Sequence, residues 1–327
     1  MKKWLNRILF GVGAGFCLAA GMAHAADEGY PERPIRMIVP YSAGSGIDIL
    51  ARTAGQGMSA TLGQPIVVDN RAGASGMIGT RAVKNAKADG YTVLMSVIGH
   101  VLNASVFPVS AKYDPVKDFT PISLAVLGRL VLVVQPKTDI HDIKGFLEKA
   151  RAHPGTLTYA TPGTGTPHHL AMELLARTAK FKVLHVPYSG TAGAMTGMLG
   201  GEVDAMFMPV HLALPYIKSG RFIALGLASE QRSSIAPDVP TLAEQGYPGA
   251  EADMWYGLLG PADLPQPLVA KLHKALGQAL ADPQVRSVLE KQGLEVGTST
   301  PAEFKTLMEK ENSKWKQVIE EAGLAAE

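Results

Sequence analysis

The sequence predicts an α/β protein of two domains, each a mostly parallel sheet flanked by helices. Three observations carry that expectation. Apolar, β-branched runs alternate along the chain with segments of helical periodicity, which implies parallel strands covered on both faces. Four small-residue loops fall just after predicted strands: Ser42–Gly46, Ala72–Gly76, Thr161–Thr166 and Tyr188–Gly193. Finally, 327 residues with 35 glycines and 22 prolines are enough for two cores joined by many short connections.

The chain opens with Lys2, Lys3 and Arg7 ahead of an apolar stretch from Ile8 to Ala20, then Ala23-His24-Ala25. That pattern reads as a secretory leader over residues 1–25, cleaved after Ala25. Its apolar part is too short for a stable membrane span, and the sole cysteine, Cys17, lies inside it. The mature chain is therefore expected to be exported to a periplasm without disulfides. The full chain carries 31 Lys and Arg against 29 Asp and Glu; losing three basic residues with the leader takes the balance from +2 to −1. Neither that balance nor any basic cluster suggests nucleic acid or a membrane surface as a partner.

The elements then follow in order. Strands are predicted at Ile35–Val39, Ile66–Asp69, Thr92–Val97, Leu130–Val134, Thr158–Ala160, Val183–Val186, Val203–Met208 and Phe222–Ala228. Helices are predicted near Ile49–Leu62, Gly76–Asn85, Ile143–Ala152, His168–Thr178 and Thr191–Leu199. Beyond Pro261 the pattern turns wholly helical, with prolines at 265, 267, 283 and 301 as start signals. These last helices have no strands of their own, so they are expected to return to the first domain. The first domain would then comprise 26–125 plus 250–327 and the second 126–249, with crossings at Ile122–Arg129 and on the approach to Trp255.

The segment Ile35–Arg52 carries the chemistry. A strand ends at Pro40, the loop Ser42–Gly46 follows, and helical spacing resumes behind Asp48, so backbone N–H groups and a helix N-terminus converge on one spot that favours an anion. The loop has neither the Gly-Lys-Ser/Thr ending of a P-loop nor the G-x-G-x-x-G spacing of a dinucleotide site. A small carboxylate is the expected anion; a plain tight turn explains the same glycines.

Further segments accumulate along the chain: Tyr30-Pro-x-Arg-Pro-Ile-Arg36, Val39-Pro-Tyr41, Asp48-Ile-Leu-Ala-Arg52, Val68-Asp-Asn-Arg-Ala-Gly73, Asp89-Gly-Tyr-Thr92, Gly99-His100 with Asn103, Tyr159 through His169-Leu170, His185-Val-Pro-Tyr188, Leu199-Gly-Gly-Glu-Val-Asp204, Asp238-Val-Pro-Thr-Leu-Ala-Glu244 and Trp255-Tyr-Gly-Leu-Leu259. In this order the chain resembles the periplasmic substrate-binding proteins of tripartite tricarboxylate transporters, the Bug-type receptors, over essentially its whole mature length. The resemblance implies a two-domain periplasmic-binding-protein (Venus flytrap) fold that closes on a small carboxylate, performs no chemistry, needs no cofactor or metal, acts as a monomer and serves membrane permease subunits. It implies ligand contacts, many through water, at Tyr41, Ser42, Ala43, Gly44, Ser45, Gly46 and Asp48, and at Gly99 and His100. From the opposing domain it implies Thr161, Gly163, Thr164, Gly165, Thr166, His168, Tyr188, Thr191 and Met208.

Other roles fit several of these residues. Ser45, Thr164 and Thr166 suit helix capping; Asp48 suits orienting the loop, because a carboxylate repels an anion; Tyr188 suits interdomain packing. Adjacent His168 and His169 point to different helix faces and make a poor metal site. Asp204 suits an ion pair or hinge contact, and Trp255 and Tyr256 suit a core or hinge. Three departures from the family pattern, Gly44-Ser45, Ile47 and Met208, would make the cleft more apolar and better suited to a carboxylate with an apolar body than to amino acids. Two other functions remain open: an exported hydrolase, although no G-x-S-x-G elbow occurs, built on a serine with a histidine at 100, 168, 185 or 211, and an orphan solute sensor.

Overall fold

The computed structural model describes residues 29–326, so the predicted leader lies outside the described residues. The elements in chain order are β1 (Ile35–Val39), α1 (Gly46–Leu62), β2 (Ile66–Asn70), α2 (Met77–Lys84), β3 (Thr92–Val97), α3 (Gly99–Val106), α4 (Pro108–Ala111), β4 (Phe119–Gly128), β5 (Leu130–Val134), α5 (Ile143–Ala152), β6 (Thr158–Thr161), α6 (Pro167–Ala179), β7 (Leu184–Pro187), α7 (Thr191–Gly200), β8 (Ala205–Pro209), α8 (Val210–Lys218), β9 (Ile223–Leu227), β10 (Met254–Pro261), α9 (Gln266–Ala281), α10 (Pro283–Lys291), β11 (Leu294–Val296) and α11 (Pro301–Glu321). The local signals act as expected at the late helices. Asp282 caps α10 by accepting from Gln284 and Val285, and Thr300 with Glu303 forms a reciprocal capping box ahead of α11.

Two sheets result, of order β11-β4-β10-β3-β1-β2 and β7-β6-β8-β5-β9. The expectation of mostly parallel sheets needs correcting: four strand pairings are parallel and five antiparallel. The reason is topological. The chain leaves the first sheet along β4, enters the second directly at β5, and comes back along β10; an outgoing and a returning strand side by side must run antiparallel. Ile122–Gly128 is accordingly strand within the first sheet, and the passage between sheets is the single residue Arg129.

Strand parity sets the packing. In β1, Ile35, Met37 and Val39 join the apolar residues of α1 and α9, while Ile38 faces the opposite layer with Val101 of α3 and Phe304 of α11. In β5, Val131 and Val133 meet Met198 of α7 and Ala213 of α8, and Leu130, Leu132 and Val134 join the layer of Phe146 and Leu170. One apolar layer thus runs through both lobes. Asp204 ties β8 to β6 by accepting from both the N–H and the hydroxyl of Thr158, so it acts within the second lobe. Trp255 is core, edge-on to Phe304 at 5.4 Å. No helix among the described residues is long and apolar enough to cross a membrane.

Candidate functional site

Strands β1, β2 and β3 are mutually parallel, so their C-terminal ends and following loops share one edge of the first sheet. Tyr41 joins the three loops. Its hydroxyl donates to the Ser75 carbonyl at 3.3 Å, and a Cβ at Gly99 would stand 2.8 Å from that hydroxyl, so the close approach there requires glycine. Asn103 of α3 donates to the same carbonyl at 2.7 Å. The Ser75 turn is strained: Ala74 and Ser75 hold φ of 47° and 54°, unusual for residues with a Cβ.

Asp48 organises the loop from beneath. Its carboxylate accepts from the Gly44 N–H at 2.9 Å, from Arg52 Nε at 3.1 Å and from Asn70 Nδ2 at 2.9 Å, and Asn70 also donates to the Tyr41 carbonyl. Burial works to raise its pKa; the hydrogen bonds from Arg52, Gly44 and Asn70 outweigh burial and hold the carboxyl below the ordinary value. At 3% exposure and with these donors in place, Asp48 orients the loop and is not available to a ligand. Ser45 stands at the N-cap of α1 without capping it, because its hydroxyl donates instead to the Ser42 carbonyl at 2.7 Å. The first-turn amides of α1, which lack intrahelical acceptors, therefore open on the exposed loop Ser42, Ala43, Gly44 and Gly46.

The second lobe repeats the arrangement. Strands β6, β7 and β8 are parallel neighbours, and their C-terminal ends lead into α6, α7 and α8. Thr166 is the N-cap of α6, but its hydroxyl donates to the Gly163 carbonyl at 2.7 Å and leaves the helix uncapped; Gly190 precedes Thr191 at the equally uncapped start of α7. Tyr188 N–H donates to Thr161 O and Gly190 N–H to Pro162 O, which knits the two loops together. A Cβ at Gly165 would stand 3.8 Å from Val106 at the end of α3, so the second-lobe loop lies beside the first lobe. The structure thus places Ser42, Ala43, Gly44, Ser45, Gly46 and Gly99 at the strand-end edge of the first lobe, and Gly163, Thr164, Gly165, Thr166 and Thr191 at that of the second, with Gly165 beside Val106 of the first.

Other predicted contacts sit elsewhere. Met208 is 0% exposed and packs in the core with Val131 and Val133, because every residue of β8 up to Met208 is covered on both faces. Ile47 is core as well, so neither side chain makes the cleft apolar. His100 is buried against Tyr113 and Phe119, with Nε2 2.8 Å from the Pro115 carbonyl, and burial holds it neutral with a pKa lowered to about 4. Thr161 is 0% exposed and committed to Gly163 and His185. Tyr188 lies along α7: its hydroxyl donates to Glu202 at 3.0 Å, and only glycine at 197 leaves room for the ring. His168 is buried and neutral, its pKa lowered to about 4 by burial, with no hydrogen-bond partner at either ring nitrogen. Sequence reasoning missed Ser75, whose turn it noted only as a small-residue loop; the glycines at 73 and 76 that bracket it are the available signal, and the structure holds all four residues at positive φ.

Where the lobes join, Arg129 Nη1 meets Asp253 Oδ2 at 2.6 Å and ties one crossing to the other. A cavity of about 700 Å³ borders this pair, lined also by Arg177, Glu230, Trp255 and Lys310. Of its charged residues, Lys310 pairs with Glu230 and Arg177 with Glu321, and none of the strand-end loop residues lines it. Among the described residues no group of three or more His, Cys, Asp or Glu could hold a metal ion.

The family model described as the tripartite tricarboxylate transporter family receptor matches residues 50–324. The chain belongs to that family. A relative from Pseudomonas sp. (strain P51), described as a UPF0065 protein in the tcbD-tcbE intergenic region, is 36% identical over 98% of this chain and 95% of its own length. Among solved structures, MatC from Rhodopseudomonas palustris with bound malate is 33% identical, with a TM-score of 0.70 over 89% of this chain and all of that one. A second R. palustris protein, with adipate, is 28% identical, with a TM-score of 0.73 over 90% of this chain and 99% of that one. Two helix-flanked sheets joined by two crossings are the periplasmic-binding-protein architecture of this receptor family.

Proposed function

We propose that the chain is an exported receptor that captures a small carboxylate between its lobes and delivers it to membrane permease subunits of a tripartite tricarboxylate transporter. The observation that carries the reading is the set of helix starts at α1, α6 and α7 at strand-end loops of the two lobes, none of them closed by a side-chain cap: Ser45 and Thr166 turn their hydroxyls elsewhere, and Gly190 has no side chain to offer. Amides and helix dipoles aimed at one spot stabilise a carboxylate without a basic side chain, and interposed water lets the same amides serve ligands of different length. Malate and adipate in two related structures are both small dicarboxylates, which sets the class to try first.

In this mechanism the ligand docks on Ser42–Gly46 in the first lobe, and rotation about Arg129 and the segment before Met254 brings Gly163–Thr166 and Thr191 over it. Closure occurs only insofar as the ligand binds the closed arrangement better than the open one. Residues 26–125 with 250–327 form the first domain in this reading and 126–249 the second, the monomer being the working unit in the periplasm. A preference for an apolar ligand body would rest on Met208 and Ile47, and it lapses with their burial. The hydrolase alternative finds little support, since Thr161 Oγ1 lies 2.6 Å from His185 Nε2 but is sealed from any substrate.

Thermal unfolding of the mature protein against malate, adipate, citrate, aromatic acids and acidic amino acids tests the proposal. A ligand at 100 times its Kd is expected to add about 2.7 kcal/mol of stability. A response confined to carboxylates supports the reading. No response, together with no carboxylate released on denaturation and detected by mass spectrometry, overturns it.

A further inference from the structure

Behind the second-lobe loop three rings form a stack drawn from three elements: Tyr159 of β6, His185 of β7 and His169 of α6. The two imidazoles lie 4.0 Å apart and 13° from parallel, and Tyr159 stacks on His185 at 5.0 Å. Each imidazole engages the loop. His169 Nδ1 accepts the Gly165 N–H at 3.1 Å, while His185 Nε2 lies 2.6 Å from Thr161 Oγ1, which in turn contacts both the N–H and the carbonyl of Gly163 at 3.2 Å. Accepting at Nδ1 requires that nitrogen to be bare, which puts the ring proton of His169 on Nε2, facing Glu173 Oε1 at 3.7 Å; Tyr159 donates to the same oxygen at 2.9 Å.

The loop needs such a holder. Gly163 and Gly165 sit at φ of 147° and 75°, and glycine enters such conformations without a preference that would fix them. We propose that His169 is a positioning residue for ligand capture: its neutral imidazole fixes Gly165, and with it the Gly163–Thr166 edge of the cleft, and its protonation releases that edge. The part concerning capture rests on the receptor reading above; the part concerning the loop does not.

The sign of the pH effect comes from burial. Both imidazoles have pKa values lowered to about 4, His169 by burial and His185 by burial and then the neighbouring His169. The groups facing the pair are Glu173 from α6 and Tyr159 and Thr161 from β6, and each ring faces the other. A histidine freed from the stack takes its proton near its ordinary value of 6.5, so the held loop is fully favoured above that pH and loses its advantage as pH falls from 6.5 towards 4.

Two variants and one spectrum test this. His169→Phe keeps the ring and removes the acceptor; His169→Asn places an amide oxygen near the former Nδ1. In ¹⁵N-labelled protein at pH 7.5, His169 is expected as the tautomer protonated at Nε2. Exchange of the Gly165 amide is expected to be about tenfold faster in His169→Phe and near wild type in His169→Asn, the scale of one neutral hydrogen bond. The affinity for whichever of malate or adipate binds should weaken in parallel. Equal protection of Gly165 in wild type and His169→Phe, or a tautomer protonated at Nδ1, overturns the proposal. If no carboxylate of the thermal-unfolding panel binds the wild type and none is released on denaturation, the receptor reading loses its support while the amide result still decides the role of His169 in the loop.

Discussion

Gly44 and Gly46 stand two residues apart in the same loop and answer to different physics. Gly44 holds a φ of +81°, which a side chain enters only with strain, whereas Gly46 has an ordinary φ; neither would place a Cβ within 4 Å of another atom. Gly46→Leu is therefore the cleaner probe of the cleft: it occupies the approach to the α1 amides without crowding the fold. Its unfolding free energy should stay within about 0.5 kcal/mol of wild type, while calorimetric affinity for the best carboxylate drops at least about tenfold through lost access to the amides. Unchanged affinity would move the site away from Ser42–Gly46. The surrounding bonds show why reading residues singly falls short. Asp48 lies where an anion site would hold a ligand contact, yet its oxygens are taken by Gly44, Arg52 and Asn70, the last arriving from a strand 22 positions away. Nothing local to Asp48 announces Asn70.

At the level of elements, β10 is the piece on which the first sheet depends. It lies between β3 and β4, and Gly257 in its middle faces α11: a Cβ there would stand 2.2 Å from Phe304 Cζ and 2.9 Å from the Ser123 carbonyl. Gly257→Ala should cost about 1–3 kcal/mol in urea unfolding through overpacking; a smaller loss would mean that α11 can slide off the sheet. Strands β1, β3 and β5 were legible with their observed bounds, because each is a short β-branched run between breakers. Strands β4, β10 and β11 were not. Pro121 interrupts β4, and β10 carries Gly257 and Gly260, so both break the local pattern of a strand. Their partners lie more than a hundred residues away or across a lobe, and pairing of that kind leaves no periodicity to read. The same limit misdirected the reading of Met208: β8 is covered on both faces through Met208, so alternation could not tell cleft from core. Loops at strand ends were legible, since parallel strands must end together.

For the molecule as a whole, the pair Arg129–Asp253 sits where both crossings meet. The Arg129 side chain is 8% exposed, and burial pushes the Asp253 carboxyl up to about 6 against the pull of Arg129. Removing one partner strands the other's charge. Arg129→Met should cost about 3–5 kcal/mol in chemical denaturation, and Arg129→Met with Asp253→Leu should recover most of that. If the double variant is no better than the single one, Arg129 matters through its aliphatic packing and not through its charge. Glu295 of β11 also reaches this region, 3.8 Å from Arg129 Nε and bonded to Ser233 of the second lobe, so three separate stretches of chain converge on the joint.

The two passages between the sheets also dictate an order of assembly. The second lobe is one uninterrupted stretch, and β5 to β9 can pair as soon as that stretch has been made. The first lobe is split: β1, β2 and β3 exist early, but their sheet reaches β4 only through β10, and the layers of α9 and α11 come last. Until the chain from Met254 onward arrives, β3 carries an open, hydrogen-bonding edge and the apolar layer of α1 lacks its partner α9. The half of the cleft that holds Ser42–Gly46 is thus begun first and finished last, and a chain interrupted in between would carry a competent second lobe beside a sticky, unfinished first one.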